Sequence, residues 1–168
     1  MKYLIKSNFE IILISFLIVF AVLSRLIPHP PNFTPIGGIA IFGAIKITNK
    51  YLAVLLPLIC MFISDLYLGF TLVSLFVYFS FFLISLISIH IKTNTINKVF
   101  LSSFIFFFIT NFGVWLIGYP LTLEGFIACY LLAIPFYINT ILGDFFYTFS
   151  LIFFYNISVN YFMVRYRK

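Results

Sequence analysis

Charge gathers at the ends of long apolar runs and in the gaps between them, with Asp144 set inside one, and no other feature of this sequence restricts its fold as severely. Ten basic and four acidic side chains are spread over 168 residues. A soluble domain carries about 25% charged residues, against 8% here, so polar side chains could not cover a water-facing surface. The mean hydropathy of +1.19 agrees. These proportions exclude a soluble enzyme, a disordered chain and a nucleic-acid-binding domain, despite the net charge of +6. They indicate an integral membrane protein. The 25 phenylalanines fit an AT-rich genome and are no functional signal by themselves.

A spanning helix needs about 20 mostly apolar residues, so the length admits roughly six and leaves no separate soluble domain. The apolar runs place helices at about 9–27, 35–47, 51–65, 71–91, 99–118 and 138–161. The first run lacks a small-x-small site before Ser24 and Arg25, so it reads as a span and not a cleaved signal peptide. Four prolines within 28–35 cannot continue a helix and make a stiff connector. The second run is only about 20 Å long and holds Gly37, Gly38, Ala40, Gly43 and Ala44, a density that lets helix backbones approach closely. Pro57 lies inside the third run, and Gly69 in the turn after it. Thr71, Ser74, Tyr78, Ser85 and Ser88 recur at helical spacing along the fourth and give it a hydroxyl face. Cys60 and Cys129 form no CxxC pair and read as small buried hydrophobes.

Charge placement orders these runs. Cytoplasmic loops carry an excess of lysine and arginine. With the N-terminus inside and six crossings, Lys2, Lys6, Lys46, Lys50, Lys92, Lys98, Arg165, Arg167 and Lys168 fall on the inner side and only Arg25 falls outside. The stretch after Tyr119 could hold one span or two, but two would put the C-terminal cations outside. One final span is therefore expected, preceded by a re-entrant or interfacial segment at about 121–137, with both termini cytoplasmic.

This arrangement gathers the unusual polar groups on the outer half: Arg25, His29, Asn32, Thr34, Asp65, Asn111, Trp115, Tyr119, Glu124, Asn139, Thr140 and Asp144. Asp144 is expected roughly 8 Å into the last helix, where a carboxylate faces a partner or a cavity. Two readings are open for it: a structural pair with Arg25, or a contact to a ligand. Asp65 and Glu124 lie nearer the interface, where a structural role suits them, and His29 sits in the proline-rich connector. His90 reads as an interface residue. No HExxH, GxSxG, phosphate-binding loop or cluster of His and Cys ligands is present. Neither an enzyme, a metal centre nor a cofactor is expected.

The string from Arg25 through Pro28-His-Pro-Pro-Asn-Phe-Thr-Pro35 to Gly38, then Ser64-Asp-Leu-Tyr-Leu-Gly69, resembles a family of small bacterial membrane proteins known only as a domain of unknown function. Thr110-Asn-Phe-Gly-Val-Trp115, Tyr119-Pro120, the segment from Cys129 to Phe136, and Asn139-Thr-Ile-Leu-Gly-Asp144 extend the resemblance over nearly the whole chain. The layout also resembles the S components of energy-coupling-factor (ECF) transporters, through the glycine-rich short helix and the Asp near a turn in 34–69 and through Ile134-Pro-Phe136. That resemblance implies a compact six-transmembrane-helix bundle of the bacterial cytoplasmic membrane, which binds a micronutrient from outside and works with a transmembrane coupling subunit and ATPases. The Ala-xxx-Ala docking pattern of S components is absent from the first run, where Ala21 stands alone.

The expectation is thus an all-α multi-pass membrane protein that binds a small molecule for uptake, with no nucleic-acid partner. Its site would comprise Arg25, His29, Asn32, Asp65, Asn111, Trp115, Tyr119, Asn139 and Asp144, with Phe136 as a further flat contact. Residues 28–35 and 119–137 would form its lid. The alternative is a non-transporting protein that assembles with or stabilises another membrane complex.

Overall fold

The computed structural model describes residues 2–165, and side chains from Phe9 to Tyr161. Of the cytoplasmic cations expected above, Lys2, Lys6 and Arg165 lie outside the described side chains, and Arg167 and Lys168 outside the described residues. Six helices succeed one another: α1 (Lys2–Leu26), α2 (Pro35–Lys46), α3 (Lys50–Leu68), α4 (Ser74–His90), α5 (Thr95–Gly118) and α6 (Leu123–Arg165). Four of them, α1, α3, α5 and α6, are long and apolar enough to cross a membrane, whereas α2 and α4 are shorter. The helices alternate in direction, so the turns after α2 and α4 close one end of the bundle. The other turns close the opposite end.

Helix α2 is the hub. Every residue from Pro35 to Ala44 is buried. Its Ile36, Ile39, Ala40 and Phe42 form a core with Leu17 and Ala21 of α1, Leu56 and Cys60 of α3, and Phe81 and Ile84 of α4. Proline at its first position fits, because that amide needs no helical partner. The small residues let α6 come close. A Cβ on Gly38 would lie 2.7 Å from Tyr147 Cβ and 2.9 Å from the Thr148 nitrogen.

Lysines terminate helices at the end opposite Arg25. Lys50 Nζ donates to the Ala44 and Ile47 carbonyls at 2.8 and 3.0 Å, capping α2. Lys98 Nζ donates to the carbonyls of Ser88 and Ile91, closing α4. Ammonium groups suit these positions because the last carbonyls lack helical partners and carry the negative end of the helix dipole. Asn49 caps α3 by accepting from Tyr51 N and Leu52 N, and Asn94 caps α5 by accepting from Asn97 N. This last cap draws residues 95–98, before the expected start of the helix at about 99, into α5.

The segment 121–137, expected as a separate re-entrant or interfacial piece before a span at 138–161, is continuous with that span. Helix α6 has 43 residues and is about 64 Å long, so it returns from one end of the bundle to the other without turning back. Pro135 removes the amide that would bond Leu131, yet the helix continues. Aromatic contacts with α5 hold both sides of it: Trp115 against Phe126, Phe107 against both Tyr130 and Tyr137, and Phe100 against Phe145. One continuous helix meets the charge argument as well as a re-entrant piece would.

The close approach of α2 and α6 gives a direct test. Gly38→Ala is expected to destabilise the fold by about 1–3 kcal/mol, the usual range for overpacking. Gly118→Ala, where nothing lies within 4 Å of an added Cβ, is expected to leave stability unchanged. Thermal unfolding of the two variants in one detergent, monitored by far-UV circular dichroism, checks both.

Candidate functional site

At the end of the bundle away from the lysine caps, the connector 27–34 and the turn 69–73 leave a cavity of about 360 Å³ between them. Its mouth is formed by His29, Asn32 and Thr34 of the connector and by Gly69, Thr71 and Ser74 across from them. Two conformational details shape this rim. Asn32 has φ 65, in the left-handed region that asparagine tolerates better than most residues. Gly69 has φ 92 and ends α3, its amide returning to the Asp65 carbonyl at 2.8 Å. Asn139 of α6 ties the connector down by donating to Pro31 O at 3.1 Å.

One wall is an ion pair. Arg25 Nη1 lies 2.8 Å from Asp65 Oδ1. The same nitrogen donates to the Ser64 hydroxyl and to the Met61 carbonyl. Asp65 Oδ2 accepts from the Tyr78 hydroxyl at 2.9 Å. Asp65 is only 3% exposed, so it is not the solvated interface carboxylate expected from the sequence. Residues 61–65 lie in the C-terminal half of α3 beside Arg25, the last polar residue of α1. Burial there demands a counter-charge, and Arg25 meets it.

Asp144 occupies the floor. It is 4% exposed and lies deep within α6, not near the start of a final helix. The pairing with Arg25 that the sequence suggested is not found, because Asp65 takes that guanidinium. Asp144 Oδ2 instead accepts the Ser103 hydroxyl at 2.7 Å. Its Oδ1 stands where a side chain on Gly37 would be, beside the first turn of α2. Thr140, one turn earlier, lines the cavity with it, and Met61, Val77, Phe81 and Phe106 supply apolar surface.

The structure therefore brings together Arg25, His29, Asn32, Asp65 and Asp144 of the expected residues. Asn139 lies outside the lining and acts on the connector. Asn111, Trp115 and Tyr119 are elsewhere, in the α5–α6 hairpin. Asn111 donates to Phe107 O in its own helix, Trp115 Nε1 donates to Pro120 O, and Tyr119 ends α5. Phe136 and the rest of 119–137 do not reach the cavity, so only residues 28–35 of the two expected lid segments border it. Glu124 is exposed in the first turn of α6. The flat apolar contacts come instead from Phe81 and Phe106, whose rings pack 5.1 Å apart. Ser64, Tyr78, Ser103 and Gly37 were not singled out for the site. Tyr78 and Gly37 had signals, in the hydroxyl face and the glycine cluster. Ser103 had none.

A family model matches residues 5–164 of this sequence. The chain belongs to a family of unknown function (DUF6580). This bears out the resemblance to an uncharacterised family and carries no likeness to S components. No curated protein and no solved structure matches the chain.

The ion pair can be separated from the rest of the fold. Arg25→Met leaves Asp65 buried without its counter-charge and is expected to cost about 3–5 kcal/mol. The double variant Arg25→Met, Asp65→Leu removes both charges and is expected to be more stable than the single Arg25→Met. A double-mutant cycle on unfolding midpoints measures this. Additive losses would show that the two residues do not act as a unit.

Proposed function

We propose that this protein is a multi-pass protein of the bacterial cytoplasmic membrane that binds a small micronutrient in the cavity between α1, α3, α4 and α6 as part of its uptake. The observation that carries the reading is a cavity of about 360 Å³, within the range of small-molecule sites, where an apolar wall of Met61, Val77, Phe81 and Phe106 faces a largely polar rim and floor. An ion pair and a buried carboxylate in the walls of so apolar a chain support it, since charges at membrane depth are costly and mark functional sites.

The positive-inside rule supports the orientation. Lys46, Lys50, Lys92 and Lys98 belong to the end closed by the turns after α2 and α4, and Arg25 to the other. With the lysine end cytoplasmic, the cavity opens outward, and both chain termini lie inside. The S-component resemblance in 34–69 adds an energising membrane subunit with ATPases as the partner that would drive release to the inside.

Cysteine labelling tests the placement. Ser74 borders the cavity mouth, and the native Cys60 and Cys129 are buried. Ser74→Cys in intact cells is expected to react with a membrane-impermeant maleimide well above the background of the unaltered chain. Labelling only after the cells are broken would overturn the outward-facing cavity. Native mass spectrometry of gently extracted protein is expected to show a co-purifying small molecule. Repeatedly empty protein would instead favour a non-transporting subunit of another membrane complex.

A further inference from the structure

The charges around the cavity are unequally satisfied, and the inequality selects a ligand. Arg25 has its counter-charge in Asp65, and its Nη1 also meets Ser64 and Met61 O. Asp65 is engaged through both oxygens, by Arg25 and by Tyr78. These two charges cancel. Asp144 has a neutral hydroxyl as its hydrogen-bond partner, and among the described residues no cation lies within ion-pairing distance of it. The first turn of α2 beside it supplies the equivalent of roughly half a positive charge. A buried carboxylate needs a full one or a proton.

We infer that the cavity takes a small organic cation, a protonated amine whose charge meets Asp144 and whose apolar body lies against Val77, Phe81 and Phe106. This names the ligand class for the cavity reading above and rests on it. A bare metal ion fits poorly. The volume of about 360 Å³ far exceeds an ion's needs, and among the described residues no group of three His, Cys, Asp or Glu side chains could hold a metal. An anion would meet Asp144, and the charge of Arg25 is already balanced by Asp65. Ammonium groups also pack favourably over aromatic faces, which the Phe81–Phe106 pair offers one helical turn from Ser103 on α5.

Protection of Ser74→Cys from maleimide reads the ligand class directly, using the full chain in lipid nanodiscs. Three probes share a phenyl ring on a short alkyl chain and differ in charge: phenethylammonium, phenylpropionate and phenethyl alcohol. Phenethylammonium is expected to slow labelling, and the other two to have little effect at the same concentration. In Ser74→Cys, Asp144→Asn the ammonium is expected to bind about tenfold more weakly, equivalent to about 1.4 kcal/mol, while labelling without probe stays unchanged. If the ammonium gives no protection, or the carboxylate or alcohol protects as well, the cationic class is overturned and the cavity stands. If Ser74→Cys does not label without probe, the cavity reading itself falls. The comparison of the three probes needs no change at Asp144, so it decides the question even where Asp144→Asn fails to fold.

Discussion

Helix α2 is buried from Pro35 to Ala44, so its neighbours must supply much of what water would at its ends. The carbonyls of its last turn receive Lys50. Its first turn begins with a proline, and Thr34 before it makes no side-chain cap. There the neighbour is Asp144, which fits because position 37 is glycine. A cation at one end and a carboxylate at the other match the helix dipole. The bundle is organised around that match: α3 reaches α2 through Lys50, and α6 reaches it through the glycine contacts. Residues that look like separate curiosities in the sequence, a lysine in a turn and an aspartate in an apolar run, answer one requirement.

The same requirement separates the two buried acids. Asp65 lies beside the end of α1, where Arg25 can reach it, and Tyr78 completes its hydrogen bonding. Asp144 lies beyond Arg25's engagement and depends on Ser103 and the start of α2. The result is one carboxylate paired with a cation in a wall and one, in the floor, that has no cation partner among the described residues. Two acids of equal formal charge thus do different work. The first joins α1 to α3, and the second gives the cavity its electrostatic character.

The number of helices, the connectors between them and the end at which the lysines collect were legible because each rests on a local rule. Apolar runs of spanning length give helices, four prolines in 28–35 stop one, and the lysines cluster in the turns after the second and fourth runs, although their capping of carbonyls is not visible in the sequence. Pairing was less legible. Of the two readings open for Asp144, the pair with Arg25 rests on charge alone, because nothing in one dimension reveals that Asp65 is nearer. The separation of 121–137 from 138–161 rests on the charge count alone, and the ring contacts with α5 that carry the helix through are tertiary. Trp115 and Tyr119 count among the polar groups of the outer half, yet Trp115 closes a hairpin onto Pro120. Phe81 and Phe106 were hidden by number, two among 25 phenylalanines.

The continuity of α6 has a consequence for the cavity. This helix carries Asn139, which holds the connector through Pro31, then Thr140 and Asp144, which line the floor, and Asn156, which receives Lys46 at the far end. Gly143 lets the Phe33 backbone lie against the same helix, and the Phe33 ring packs on Phe146 and Tyr147. The rim and the floor are therefore built on one rigid element. The opposite rim at Thr71 and Ser74 belongs to the α3–α4 turn, which Gly69 frees from helical geometry. Of the two sides of the mouth, the connector is the one anchored by α6, a helix it does not adjoin. The α3–α4 turn is held by Thr71 N to the Ser74 hydroxyl at 3.0 Å and by Phe70 against Phe62 of the helix it leaves. A change in the width of the mouth would cost least on that side, since it would leave the contacts of Asp144 and the packing of α2 against α6 intact.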